Sequence, residues 1–338
     1  MYSIKRFSLT LIVLVGLTAF RTHAQENNDQ EFKPSGKFKG NVFSNFHMQL
    51  NSPELESAFE VQRAYFGYTY QMSENFTAIL KLDIGSPNQT SQYDLLKRYA
   101  YFKNAGLVYH KNKLTLSFGL IDLFQFKVQE RFWNHRYIYQ SFQDLYKFGN
   151  SADLGFSAEY KMNDFLSGDF SVMNGEGYNQ LQTDNAYKSA LGISVFPLKN
   201  LTIRLYADYM EKDEIQTTWS SFVAYDFNHK ASIGIEYNIK LNYNYTIDQN
   251  LSGISMYASY EISKMVQLFG RFDKLWSNKI SGEPYQWNIN KDGSAIIGGV
   301  QVTPIKNILI AINYQDWVPY ANNIENEYYL YCNLEFKF

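Results

Sequence analysis

Along much of this chain apolar residues recur at every second position. From Ala231 to Tyr245, Ala231, Ile233, Ile235, Tyr237, Ile239, Leu241 and Tyr243 fall on one side of an extended backbone. Ser232, Gly234, Glu236, Asn238, Lys240 and Asn242 fall on the other. This is the period of two expected of a strand with unlike faces. The closing stretch sorts the same way, with Tyr328, Leu330, Cys332, Leu334, Phe336 and Phe338 against Tyr329, Tyr331, Asn333, Glu335 and Lys337. Terminal residues are usually loose unless something holds them. An alternating pattern that reaches Phe338 therefore leads to the expectation that this strand is held by the first one, in a sheet that closes on itself and leaves no free edge.

The same alternation predicts strands over 37–50, 58–72, 75–83, 96–104, 113–120, 151–160, 165–173 and 186–196. It continues over 201–211, 217–228, 231–245, 251–262, 266–277, 293–303, 307–316 and 327–338. These make sixteen, and an even number is what a single-chain antiparallel barrel requires if both ends lie on one side. The connections give an independent check. After the second, sixth, eighth, tenth, twelfth and fourteenth strands they are tight, as in Ser73-Glu74-Asn75 and Ser263-Lys264-Met265. After the third, fifth, seventh, thirteenth and fifteenth they are longer, at 84–95, 121–150, 174–185, 278–292 and 317–326. Short and long links thus fall at opposite ends of the strands, as in transmembrane barrels with short periplasmic turns and long extracellular loops. Periodicity alone leaves a soluble two-layer sandwich open.

Composition and the first residues favour the barrel. The chain holds 28 Tyr, 26 Phe and 5 Trp against 7 Pro and 1 Cys, and aromatic residues suit both strands and membrane interfaces. Lys5 and Arg6 precede an apolar run from Leu9 to Phe20, and Thr22-His23-Ala24 offers a small-residue cleavage pattern. The run falls short of the roughly 20 residues of a spanning helix and reads as a secretory signal peptide. The expected organisation is a signal peptide over 1–24, a flexible segment over 25–36 and an outer-membrane barrel over 37–338 in a Gram-negative-type bacterium. No transmembrane helix is expected after the signal peptide. Lys plus Arg (31) and Asp plus Glu (33) nearly cancel, so no nucleic-acid partner is expected.

Parity assigns charges to faces. A Lys or Arg on the lipid face costs about 2 to 4 kcal/mol at the bilayer midplane, so strand charges should sit inside. Arg63, Lys81, Lys188, Arg204, Asp208, Glu236, Lys240, Arg271 and Asp273 all read as lumen-lining, as do Asp83, Asp153, Glu159, Asp169, Glu335 and Lys337. Arg98 shares parity with Ala100 and Phe102 and is expected near the outer rim. The bland reading of these mixed charges is cross-strand pairing that stiffens the wall.

Several segments resemble the phosphate-selective porin O and P type of outer-membrane channel. They are Arg63-Ala-Tyr-Phe-Gly67, Leu114 to Gly119, Ser151-Ala-Asp-Leu-Gly155 and Leu268-Phe-Gly-Arg-Phe-Asp273, together with the aromatic last strand. The resemblance implies a sixteen-stranded, trimeric, passive channel whose third extracellular loop folds into the pore, and a last strand read by the barrel-assembly machinery. In this chain that loop, Ile121 to Asn150, carries Lys127, Arg131, His135, Arg136 and Lys147 among Phe124, Phe126, Phe132, Trp133, Tyr137 and Tyr139. Folded inward, its rings would pack on the wall while its cations narrow the water path and draw anions; the bland reading is an extracellular lid. There is no dense Lys run, so the expectation is a general or weakly anion-preferring channel for small polar or anionic solutes, surrounded by outer-membrane lipids.

The alternatives are a lipid-hydrolysing barrel and a closed surface adhesin or receptor. A hydrolase needs a nucleophile and base together. His47 lies on a polar face, His110 and His229 are expected in turns, and His135 stands near Ser141 and Asp144; none has a G-x-S-x-G context. Asn174-Gly-Glu-Gly177 opens no helix and reads as a turn, not as a phosphate loop. No catalytic residue, metal or organic cofactor is expected.

Overall fold

In the computed structural model, residues 32–51, 56–85 and 99–338 are described. The signal peptide, the start of segment 25–36, most of the link after the third strand and Arg98 lie outside them. Residues Pro34–Phe338 form one compact unit. Its strands are β1 (Ser35–Gln49), β2 (Ser57–Gln71), β3 (Phe76–Gly85), β4 (Tyr99–Lys111), β5 (Leu114–Asp122), β6 (Ala152–Lys161), β7 (Leu166–Met173) and β8 (Lys188–Leu198). The second half adds β9 (Leu201–Glu211), β10 (Ile215–Asp226), β11 (Ala231–Leu241), β12 (Leu251–Ser263), β13 (Val266–Ser277), β14 (Gly293–Ile305), β15 (Ile308–Pro319) and β16 (Glu327–Lys337). Each pairs with its sequence neighbours, and β1 pairs with β16, giving a closed antiparallel barrel.

Closure runs from Asn41 opposite Lys337 to Gln49 opposite Tyr329. Beyond the ladder, Gly40 N–H donates to the Phe338 carbonyl at 2.8 Å and Phe338 N–H returns a bond to Gly40 at 3.1 Å. The seam is thus paired from Gly40 to Gln49, which removes the free edges that hydrocarbon would leave unsatisfied.

Two strands differ from the sequence reading. β4 extends to Lys111, so the link after it is as tight as the other even-numbered ones and His110 sits on a strand, with Nδ1 3.0 Å from Thr115 Oγ1. The cause is a register shift in which Lys81 faces Asn104 but Leu82 faces Phe102. The extra residue, Lys103, inverts the alternation midway and conceals the rest of the strand. β11 stops at Leu241, where Asn242 takes a left-handed conformation and Tyr243–Tyr245 make a short 3-10 turn.

Alternation places the large apolar side chains outside. Phe38, Phe59, Phe118, Leu191, Trp219, Ile233 and Ile312 are each more than half exposed, and similar residues stand on the other strands. An exposed belt this continuous far exceeds the patches of soluble monomers. It is the surface that hydrocarbon, and not water, would cover.

Candidate functional site: the lumen and its infolded loop

The link over 123–151, here called L3, enters the barrel. It contains helices α1 (Lys127–Trp133) and α2 (Phe142–Leu145). Its rings supply the core: Trp133, Tyr137 and Ile138 pack with Phe222, Tyr257, Phe269 and Ile297 of the wall. Phe142 and Phe148, fully buried, pack with Leu251 and Leu275. Gly253 on β12 makes room for this, because a Cβ there would lie 2.2 Å from the Phe142 ring.

The loop's backbone sets the chemistry of the wall. A loop removed from water has no ladder to satisfy its carbonyls, and side chains of the β9–β16 wall do so instead. Arg204 donates to Phe124 O (2.9 Å), Lys240 to Lys147 O (2.8 Å), the Tyr257 hydroxyl to Gln129 O (3.0 Å) and Arg271 to Gln140 O (2.7 Å). Gln315 and Asn333 reach the carbonyls of Ile138 and Tyr137, each at 3.4 Å. The Tyr137 hydroxyl bonds Gln301, and Gln143 donates to Ser220 and Glu236. L3 is therefore fastened to every strand from β9 to β16.

This corrects several expectations. Lys188, Asp208, Glu236, Lys240, Arg271 and Asp273 do project inward, but all are buried and none lines the open space. Glu236, Lys240 and Arg271 bond to L3, while Lys188, Asp208 and Asp273 are paired within the wall beneath it. Arg271 is spent on Asp273 (2.7 Å) and lies between Trp133 and Tyr139, 5.0 and 5.3 Å from their ring centres. Lys188 stands 3.7 Å from Asp208.

The open space lies on the other side of L3, a cavity of about 1380 Å³ bounded by L3, β16 and β1 to β9. Of the loop residues singled out from sequence, Lys127, Arg131 and Arg136 line it. His135 does not: it is stacked on Phe269 (4.5 Å), with Nδ1 2.6 Å from the Trp133 carbonyl and Nε2 3.1 Å from Gln267. Burial pushes its pKa down to about 4 against the smaller opposite effect of those two bonds. Lys147 is exposed but lies outside the lining. Ser141 and Asp144 bond to Glu130 and Arg136, not to His135, so these three residues form no relay.

Ion pairing separates the inward cations into two kinds. The arginines Arg63, Arg136, Arg204 and Arg271 each hold a carboxylate: Asp83 at 3.3 Å, Glu130 at 3.1 Å with Asp144 at 2.9 Å, Asp169 at 2.6 Å, and Asp273. Arg136, with two carboxylates, has its pKa raised despite its burial. Of these four, Arg136 and Arg204 line the cavity, whereas Arg63, expected there from parity, and Arg271 do not. Lys39, Lys81, Lys103, Lys127, Lys161 and Arg131 line it as well, yet no carboxylate of the described residues lies within 4.0 Å of them. Lining carboxylates outside any ion pair are Asp122, Glu159 and Asp164, so free cations outnumber free anions. Lys39 shares parity with Asn45 and His47 and could have been found from sequence; Lys103 needed the bulge.

No family model matches the sequence, and no curated protein matches it. Solved structures do match in fold. OmpT of Vibrio cholerae, described as outer-membrane expressed, aligns with a TM-score of 0.63 at 11% identity, covering 91% of this chain and 99% of that one. OmpF of Salmonella typhi, solved with daunomycin, aligns with a TM-score of 0.65 at 10% identity, covering 90% and 97%. A trimer form of OmpT from Vibrio cholerae aligns at 0.58 and 11%. The chain has the closed sixteen-stranded architecture of outer-membrane barrels. At these identities the likeness concerns the fold alone.

Proposed function

We propose that this protein is an outer-membrane porin, a passive channel for small hydrophilic solutes with a weak preference for anions. The observation that carries this reading is the cavity of about 1380 Å³ between L3 and the β1–β9 wall, lined by Lys39, Lys81, Lys103, Lys127 and Lys161, none of which has an ion-pair partner among the described residues. A low-dielectric wall studded with unpaired positive charge concentrates anions in the water beside it. The paired arginines shape the lumen and contribute little net field. The expected surroundings are outer-membrane lipids around the apolar belt. A homotrimer, as in the OmpT form solved as a trimer, and insertion by the barrel-assembly machinery through β16 belong to the same proposal. Phosphate is one candidate solute among small anions. The separation of His135 from Ser141 and Asp144 supports a channel over a hydrolase.

The test is conductance of the purified protein in a planar bilayer under a salt gradient, with chloride and then phosphate as the anion. Steady conductance with a reversal potential displaced toward the anion potential is expected. A silent barrel would sink the channel reading, and a cation-selective one would sink the role of the lysines.

A further inference from the structure

The turn Asn174-Gly-Glu-Gly177 looks like a phosphate loop only in composition, and its backbone amides already hold an anion belonging to the chain. Gly175 N–H and Gly177 N–H donate to Asp153 Oδ2 at 2.8 and 3.2 Å, and Leu154 N–H donates to Oδ1 at 2.7 Å. Both glycines have positive φ, 102° and 91°, which turns successive N–H groups toward one point. A Cβ on Gly175 would also lie 2.4 Å from Met210 Sδ. Asn150, at the end of L3, donates to Gly175 O at 3.3 Å. Lys212 lies 2.7 Å from both Glu176 and Asp184 and ties the same loop to the rim between β9 and β10. The turn is thus fixed in position and direction.

Its direction is inward. The next residue, Tyr178, donates its hydroxyl to Asp83 Oδ2 on β3 at 2.6 Å, although the loop that carries it joins β7 to β8. Tyr178 is partly exposed, and Lys103 Nζ lies 4.7 Å from its ring centre. Asp83 is two residues beyond Lys81 along β3, toward the long-loop end, and its other oxygen faces Arg63. The cavity lining stops short of this group: it includes Tyr65, Lys81, Lys103 and Arg136, but not Arg63, Asp83 or Tyr178. Burial, and next the Asp83 carboxylate, push the Tyr178 hydroxyl upward in pKa, so it remains a donor at any working pH.

We propose that Tyr178 is a specificity-determining residue of the channel: the 174–187 loop carries it across the lumen at the extracellular end of the cavity, and its bond to Asp83 limits the size of solute that passes. The constriction then has two loops in it, L3 with Arg136 and the following long loop with Tyr178. The inference rests on the channel reading above.

The experiment compares wild type, Tyr178→Ala and Tyr178→Phe in planar bilayers, and in liposomes swollen with uncharged sugars of increasing size. Tyr178→Ala should raise unit conductance by at least about 1.5-fold and admit larger sugars. Tyr178→Phe, which keeps the ring but not the donor, should flicker to that larger level. In a Cys332→Ser background, Tyr178→Cys treated with a bulky thiol-reactive sulfonate should lose current. A conducting wild type whose Tyr178→Ala variant has unchanged conductance and sugar cut-off overturns this inference alone, as does a Tyr178→Cys channel indifferent to the reagent. A silent wild type overturns the channel reading and this one with it.

Discussion

Reversing the two exposed cations of α1, Lys127→Glu and Arg131→Glu, should convert the proposed weak anion preference to a clear cation preference, by an amount that can be worked out. For an ion passing about 7 Å from such a charge in water, Coulomb's law gives about 0.6 kcal/mol. Screening at 0.1 M, with a Debye length of about 10 Å, halves this to about 0.3 kcal/mol. Reversal changes the local charge by two units, so an anion loses about 0.6 kcal/mol and a cation gains as much. The permeability ratio then moves about sevenfold per substitution and about fiftyfold for the pair, while Gln in place of Glu gives half the energy. Neither residue holds a carboxylate and both are exposed, so the barrel should tolerate the change; Glu130 beside the new charges adds only about 0.2 to 0.5 kcal/mol of local repulsion. The assay is the reversal potential across a tenfold gradient of potassium chloride, repeated with the mean concentration near 1 M. There the Debye length is about 3 Å, and each substitution should move the ratio only about 1.5-fold. An unchanged reversal potential at low salt would refute the placement of α1 on the water path. A shift equally large at high salt would refute the electrostatic account.

The docking of L3 should depend on pH through His135. The docked ring is neutral with its pKa near 4, whereas an undocked ring titrates near 6.5, so the undocked state binds more protons below that value. Docking is fully favoured above pH 6.5 and loses about 3 kcal/mol as pH falls to 4. Channel noise should accordingly rise in this window, and His135→Phe should remove the dependence; a wild type equally quiet at pH 7.5 and 4.5 would show that His135 does not report docking. Phe142→Ala empties the hollow over Gly253 and should weaken docking by about 3 to 5 kcal/mol. Raised noise and conductance are expected while the strand content and thermal unfolding of the barrel stay unchanged, and a quiet channel of unchanged conductance would count against L3 as the narrowing element.

The sequence by itself determined the wall. Side chains alternate across a strand, and a face that meets hydrocarbon tolerates few polar groups, so Ile233, Ile235 and Tyr237 on β11, or Leu330, Cys332 and Leu334 on β16, declare their side without further context. Strand number, the segregation of short and long links and the partner of the last strand follow from that pattern. It failed where a bulge inverted the alternation, at Lys103, because parity has no memory across an inserted residue. Tertiary structure alone decided what the inner face meets. Glu236, Lys240 and Arg271 have the same parity signature as Lys81, yet L3 covers the first three and leaves the last in the open. Alternation distinguishes only inside from outside. Which inward charges are paired, which are buried under a loop and which face water depends on contacts between residues more than a hundred positions apart, such as Arg271 with Gln140 and Gln315 with Ile138. The inward path of Tyr178 to Asp83 has the same origin, since it follows from backbone bonds to Asp153 that the local sequence does not announce.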